Sequence, residues 1–286
     1  MIVNLKIKDA NFDVDLISRY NLLFSISNYT ISVCVIDPDQ HKTLLTESYT
    51  FKNGENINKK IQSLNDFFYN HEWLNAGFWK NIFISFQNER FALVPLSIFD
   101  VDFAQTMINQ QSIKQMEEAL YYNKINAIQA VVAFNAPTAL TQWFSQKYPS
   151  KKITFSHHCS SIIEGLFQSD KSSQKKVALY MNHKTATILV KQGEALLFCN
   201  TFICNAPEDL IYYLLQTYEA HLLNKETTSL VLMGNIQNSS IEYQLLYKYI
   251  RHIEFIERPS FLRFGYVFDE VPDHFYFDLY SLQLFD

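Results

Sequence analysis

The stretch NLLFSISNYTISVCVI, residues 21–36, decides how this chain is read. Two runs rich in apolar and β-branched residues, Asn21–Ser27 and Thr30–Ile36, flank a short polar turn, which predicts an antiparallel hairpin. Thr43–Phe51 (TLLTESYTF) supplies a third strand. A helix follows over Ile57–Asn70, because Ile57, Ile61, Leu64 and Phe68 recur at the helical period and share one face. Asn81–Phe86 (NIFISF) then reads as a strand. The same order returns later. Lys176–Met181, Thr185–Lys191 and Glu194–Ile203 read as three strands, and Ser229–Met233 as a fourth. Between them a helix is expected over Pro207–Leu223, with Leu210, Leu214, Tyr218 and Leu222 as its buried stripe. Pro207, Glu208 and Asp209 suit its first turn, where proline loses no needed N–H and carboxylates meet the positive helix end. Spacings in the two halves differ only by ordinary loop lengths, so the chain carries two copies of a β-β-β-α-β unit.

Further elements extend each unit. Arg90–Val94 is read as a strand, Ser97–Asn109 and Ser112–Tyr122 as helical, Ala127–Phe134 as a strand, Thr138–Lys147 as a helix, Lys152–Phe155 as a strand and Ser160–Gln168 as a helix. In the second half a helix is expected over Ser239–Ile250 and a strand over Ile253–Ile256. Ser161-Ile-Ile-Glu164 and Ser239-Ser-Ile-Glu242 match the capping-box pattern. The polar stretch Ser169–Lys175 divides the chain into residues 1–170 and 171–286. The last 26 residues, from Phe261, hold nine aromatics, and Phe264, Tyr266 and Phe268 alternate, as do Phe275, Phe277 and Leu279. Asp269, Glu270, Asp273 and Asp278 lie among them. This tail reads as a final strand or extended segment over the core, or else as an aromatic docking surface joined by Tyr243, Tyr247 and Tyr249.

Composition excludes several functions. A net charge of −5 makes the chain a poor general binder of nucleic acid, because attraction to phosphate needs clustered Lys and Arg, and no nucleic-acid partner is expected. Six glycines, none within twenty residues of another, rule out every phosphate loop built on two close glycines. No signal-like start or membrane-length apolar run is present, and Cys34, Cys159, Cys199 and Cys204 read as buried free thiols, so a cytoplasmic protein is expected.

The order of elements, together with Asn81–Phe99 (NIFISFQNERFALVPLSIF), resembles the actin-like ATPase superfamily over most of residues 20–260. It looks closer to the small bacterial members, the actin-like assembly proteins of type IV pili and type II secretion, and to an uncharacterised bacterial family of unknown function with this fold. The resemblance implies an α/β fold: two tandem ribonuclease-H-like β-β-β-α-β-α domains with mixed sheets and a cleft between them. It also says where chemistry should sit. In active members the first hairpin of each domain carries Asp, then Gly, then Thr or Ser, so that bare backbone N–H groups cradle phosphate and the Asp holds Mg²⁺. Here the two turns read Ser25-Ile26-Ser27-Asn28-Tyr29-Thr30 and Tyr180-Met181-Asn182-His183-Lys184-Thr185, with neither Asp nor Gly. The family's adenosine motif, a strand followed by Gly-Gly, is reduced to Gly234-Asn235. The candidate cleft residues are therefore Ser25, Ser27, Asn28, Asn182, His183, Thr185, Gly234 and Asn235. No catalytic residue, cofactor or nucleotide is expected.

Other constellations point the same way. In His157-His158-Cys159, neighbours on a strand face opposite sides, so at most two could share an ion, and no metal is expected. Asp37-Pro38-Asp39 reads as a turn and Asp100 as a helix start rather than as nuclease carboxylates, and no serine has a hydrolase setting. The leading expectation is a non-catalytic, actin-like pseudo-ATPase that binds or assembles with a protein partner. The alternatives are a divergent ATPase or kinase using Asp37 as metal holder, and a cleft that takes another small molecule through Ser27, Asn28, Asn182 and His183.

Overall fold

The computed structural model describes residues 1–51, 56–111 and 117–285. In the first half, β1 (Ile2–Lys8), β2 (Asn21–Ile26), β3 (Thr30–Asp37) and β4 (Lys42–Thr50) are followed by α1 (Ile57–Tyr69) and β5 (Ile82–Phe86). Then come β6 (Phe91–Pro95), α2 (Val101–Gln111), β7 (Glu118–Ile125), β8 (Ala130–Pro137), α3 (Thr138–Lys147), β9 (Ile153–His157) and α4 (His158–Ser169). The second half holds β10 (Lys175–Asn182), β11 (Thr185–Gln192), β12 (Ala195–Ile203), α5 (Pro207–Ala220), β13 (Leu230–Gly234), α6 (Ile241–Tyr249) and β14 (Ile253–Phe255). A tail adds β15 (Arg263–Phe264) and α7 (Phe277–Ser281).

Two mixed sheets share one plan. The first runs β1-β4-β3-β2-β5-β9, with β15 also paired to β4, and the second runs β12-β11-β10-β13-β14. In each, two antiparallel hairpin pairings lead to a first strand (β2 or β10) that pairs in parallel with the strand after the next helix (β5 or β13), and that strand pairs in parallel with a last one (β9 or β14). The repeat read from the sequence is thus a repeat of strand order, and the fold is α/β with two ribonuclease-H-like sheets. A third sheet, β6-β8-β7, is antiparallel and inserted after β5.

Burial explains the apolar runs. Every residue of β2, β3 and β5 is buried, because central strands covered on both faces need no polar alternation. At the edge, β12 is mostly exposed or half-buried. Phe24, Phe68, Trp143, Phe144 and Tyr148 form an aromatic cluster beneath the first sheet, with Phe68 and Trp143 rings 4.8 Å apart edge-to-face.

Several expectations need correction. Ser97–Asn109 is not one helix: a 3-10 turn at Leu96–Ile98 precedes α2, and Asp100 caps α2 by accepting from the Phe103 N–H at 2.9 Å. The helical reading of Ser112–Tyr122 falls partly outside the described residues; from Glu118 onward the chain is β7, paired along its length with β8. That pairing overrides the local helix propensity of Glu118, Ala119 and Leu120. Both capping boxes fail. Helix α4 starts at His158, so Ser161 instead donates to the His158 carbonyl and Glu164 accepts from the Asn126 N–H. Helix α6 is capped by Ser240, which accepts from the Tyr243 N–H, one residue later than the pattern suggests. Leu222 lies beyond α5 at φ 52° and is 92% exposed rather than buried. Cys199 is half-buried as a residue, not buried like the other three cysteines.

The tail is not a terminal strand. A 3-10 turn spans Tyr266–Glu270, leaving Tyr266 exposed and Phe268 buried, and α7 and the turn after it bury Phe277, Leu279, Tyr280 and Leu282. It lies over the core, as one reading held, but as helical turns. Helix α7 packs on α4, where Gly165 leaves room: a Cβ there would stand 2.9 Å from the Phe277 ring.

Candidate functional site

The β2–β3 turn is folded on itself. The Ser27 hydroxyl accepts from the Tyr29 N–H at 3.0 Å and the Thr30 N–H at 2.8 Å, and its Oγ lies 2.9 Å from Thr30 Oγ1. Amides that would be bare in a glycine turn therefore already have an acceptor. Serine does this because its short side chain reaches back to the backbone two and three residues on. Lys60 donates to the Asn28 side chain at 3.1 Å.

The β10–β11 turn approaches from the other lobe. Its residue His183 takes a left-handed conformation at φ 51°, and its ring lies 5.4 Å from that of Tyr29. Beside it the Asn182 amide donates to Gln87 Oε1 at 2.6 Å. Burial pushes the His183 imidazole below its ordinary value, which favours the neutral ring. The two turns thus meet side chain to side chain.

The third turn follows β13. Gly234 sits at φ 79°, and its N–H donates to the His274 carbonyl at 2.8 Å. The Asn235 N–H donates to the Met181 carbonyl at 2.6 Å, and the His274 ring Nε2 lies 2.7 Å from the Ile236 carbonyl. A Cβ on Gly234 would collide with the Met181 carbonyl oxygen and stand 3.0 Å from the Tyr180 ring. Glycine is required here by the close backbone approach, whether or not a ligand binds.

The tail enters the space between these turns. Asp278, 2% exposed, accepts from Ser25 Oγ at 2.7 Å and lies near the Tyr180 phenol. Burial, and then the Asp278 charge, drive the Tyr180 phenol well above its ordinary value, so it stays a donor. A cavity of about 420 Å³ remains, lined among others by Ser32, Ser48, Asn182, Glu270, Tyr276 and Asp278.

The eight sequence candidates separate. Ser25, Asn182, His183, Gly234 and Asn235 line this cavity. Ser27 and Asn28 line a smaller one of about 220 Å³ with Lys60 and Gln87. Thr185 lines neither and pairs with Asn182 at the base of its hairpin. The sequence had offered no way to place Asp278, Tyr276 and Gln87 here. Asp278 stood out only as an acid among aromatics, and it meets Ser25 across 253 residues of chain.

The strand argument for His157-His158-Cys159 fails as well. His157 ends β9 and serves as the N-cap of α4, while His158 and Cys159 are in the first helical turn. The change from strand to helix swings all three to one side, with a donor atom of each within 4.8 Å of the others, all fully buried. Asp37 is held as the sequence suggested: its Oδ1 accepts from the Asp39 and Gln40 N–H groups in the β3–β4 turn, at the far end of β3 from Thr30.

Two ribonuclease-H-like lobes with facing hairpin turns define the class, which is the actin-like ATPase fold. A solved protein of Bacteroides thetaiotaomicron VPI-5482 with that fold and unknown function has a TM-score of 0.80 at 20% identity, covering 96% of this chain and 98% of that one. The PilM–PilN type IV pilus biogenesis complex gives 0.59 at 8% identity, covering 92% of this chain and 97% of that one. The ethanolamine utilization protein EutJ from Carboxydothermus hydrogenoformans gives 0.50 at 7%, covering 93% and 90%. At these identities the likeness is one of fold. No curated protein matches the chain. Residues 9–253 match the family described as Protein of unknown function (DUF3822), and the chain belongs to it. Among the described residues no helix is long and apolar enough to cross a membrane.

Proposed function

We propose that this chain acts as a non-catalytic member of the actin-like fold, a protein-binding or assembly module whose cleft does not take nucleotide. The observation that carries this reading is the β2–β3 turn, whose Tyr29 and Thr30 amides are bonded to Ser27 while Tyr29 itself faces His183. A triphosphate with about four negative charges needs free donors and cations around it. In this cleft it would instead meet the Asp278 and Glu270 carboxylates, and no Lys or Arg is among the described residues lining the larger cavity. The partner half of the proposal is supported by the similarity in fold to PilM, which was solved as a complex with PilN.

Titration calorimetry of the full chain with ATP and Mg²⁺ is expected to give no binding heat. Micromolar affinity with a rise in melting temperature of several degrees would overturn the reading. Native purification from the source cells is expected to return a stoichiometric protein partner.

A divergent ATPase or kinase would need a metal holder, and Asp37 is committed to its own turn at the wrong end of β3. ATP turnover lost on Asp37→Ala would restore that alternative. The cavity walls of Ser25, Ser32, Ser48 and Asn182 suit a small neutral or cationic polar molecule. Ordered density there in crystals of the chain as purified would favour this second reading, and a water-filled cleft would count against it.

A further inference from the structure

Beneath the cleft, α4 of the first lobe meets β11 and β12 of the second through a dry polar cluster. His157, His158 and Cys159 are all 0% exposed. His157 Nε2 lies 3.1 Å from the Asn88 carbonyl, which accepts only if that nitrogen carries the proton. Nδ1 is then the lone-pair nitrogen, consistent with its acceptance of the Cys159 N–H at 3.3 Å. His158 Nε2 lies 2.8 Å from Thr187 Oγ1 and 3.6 Å from Cys159 Sγ, and His158 Nδ1 is buried with no hydrogen-bond partner. Across the interface, Thr201 Oγ1 is 3.5 Å from Cys159 Sγ. Cys199, two residues earlier on β12, stands on the same strand face as Thr201, the residue that meets Cys159.

We propose that His157, His158, Cys159 and Cys199 form a buried site for a soft, tetrahedral divalent cation of the zinc class, joining α4 to β12. Three features carry this. First, a centre with metal–nitrogen bonds of about 2.0–2.1 Å and metal–sulfur bonds of about 2.3 Å holds its N and S donors about 3.5 Å apart, and Cys159 Sγ and His158 Nε2 are 3.6 Å apart. Second, the Asn88 carbonyl fixes the His157 ring through Nε2, as ligating histidines are usually fixed, and leaves Nδ1, held at present only by the long 3.3 Å contact from the Cys159 N–H, as the nitrogen that would ligate. Third, charge balances. Binding releases the two thiol protons, and one divalent cation with two thiolates and two neutral imidazoles has no net charge, the condition under which such a group can remain in a dry interior. The site is separate from the cleft and does not depend on whether nucleotide binds there.

The full chain, purified without chelator from cells grown with added zinc, is expected to carry about one zinc per molecule by elemental analysis. Chain unfolded in chelator and refolded with Co²⁺ is expected to show tetrahedral visible bands and a thiolate-to-cobalt charge-transfer band. Cys159→Ser and Cys199→Ser are each expected to lower bound metal about tenfold or more and to diminish that band. Cys34→Ser and Cys204→Ser should leave both unchanged. Circular dichroism confirms that each variant is folded; should a variant fail to fold, the wild-type metal content and cobalt spectrum decide alone. A wild-type chain without stoichiometric metal and without the cobalt band would overturn the proposal. So would metal retained in both folded variants, or a Cys159–Cys199 disulfide as the purified state.

Discussion

The contact between Ser25 and Asp278 ties α7, near one end of the chain, to β2, near the other, and its strength can be measured. Ser25 Oγ donates at 2.7 Å to a carboxylate that is 2% exposed. A buried hydrogen bond to a charged group contributes about 1.5–3 kcal/mol. Asp278→Ala removes this bond and also strands the buried Ser25 hydroxyl, which had Asp278 as its partner. An unpaired buried donor costs about 1–3 kcal/mol more, so the variant should lose about 2.5–6 kcal/mol in all. Ser25→Ala removes the donor and leaves no stranded hydroxyl, and should lose about 2 kcal/mol. The double variant has no bond left to break between the two positions, so it should be little worse than Asp278→Ala alone. A double-mutant cycle by urea denaturation is therefore expected to give a coupling energy of about 2 kcal/mol. Losses that add to within about 0.5 kcal/mol would refute the idea that this pair fastens the tail into the cleft.

Two other expectations follow from the same region. Gly234→Ala must place a Cβ against the Met181 carbonyl at a left-handed φ of 79°. Backbone strain of about 1–2 kcal/mol and overpacking of about 1–3 kcal/mol should together lower the thermal midpoint by several degrees, and an unchanged midpoint by calorimetry would show that the turn relaxes freely. Burial holds the His183 and His274 imidazoles below their ordinary value, so the unfolded chain binds more protons than the folded one. Their contribution is complete above the unfolded histidine value of about 6.5 and is lost as pH falls through it. Carboxylates such as Glu47, raised by burial but brought below their usual range by His71 and Tyr49, keep their contribution until far lower pH. The melting temperature should fall between pH 7.5 and pH 5.5, and a flat or rising profile would contradict the assignment.

Periodicity and turn composition are legible in neighbouring residues, whereas exact helix starts and caps are not. The apolar runs of β2, β3 and β5, the period of α1 and the missing glycines at both hairpin turns are properties of adjacent residues, and they suffice for the repeated unit and for doubt about phosphate binding. Side chains recur every second residue on a strand and every three or four on a helix because backbone geometry dictates it, so such patterns survive in the chain order. The rest depended on surfaces distant in sequence. Strand β7 exists because β8 lies beside it, the Tyr29–His183 contact because two lobes face each other, and the Asp278 position because α7 finds space over Gly165. His157, His158 and Cys159 converge only because a strand becomes a helix at that point. Where a group ends up when its partner is hundreds of residues away is set by the packing of whole elements, a property no local spacing records.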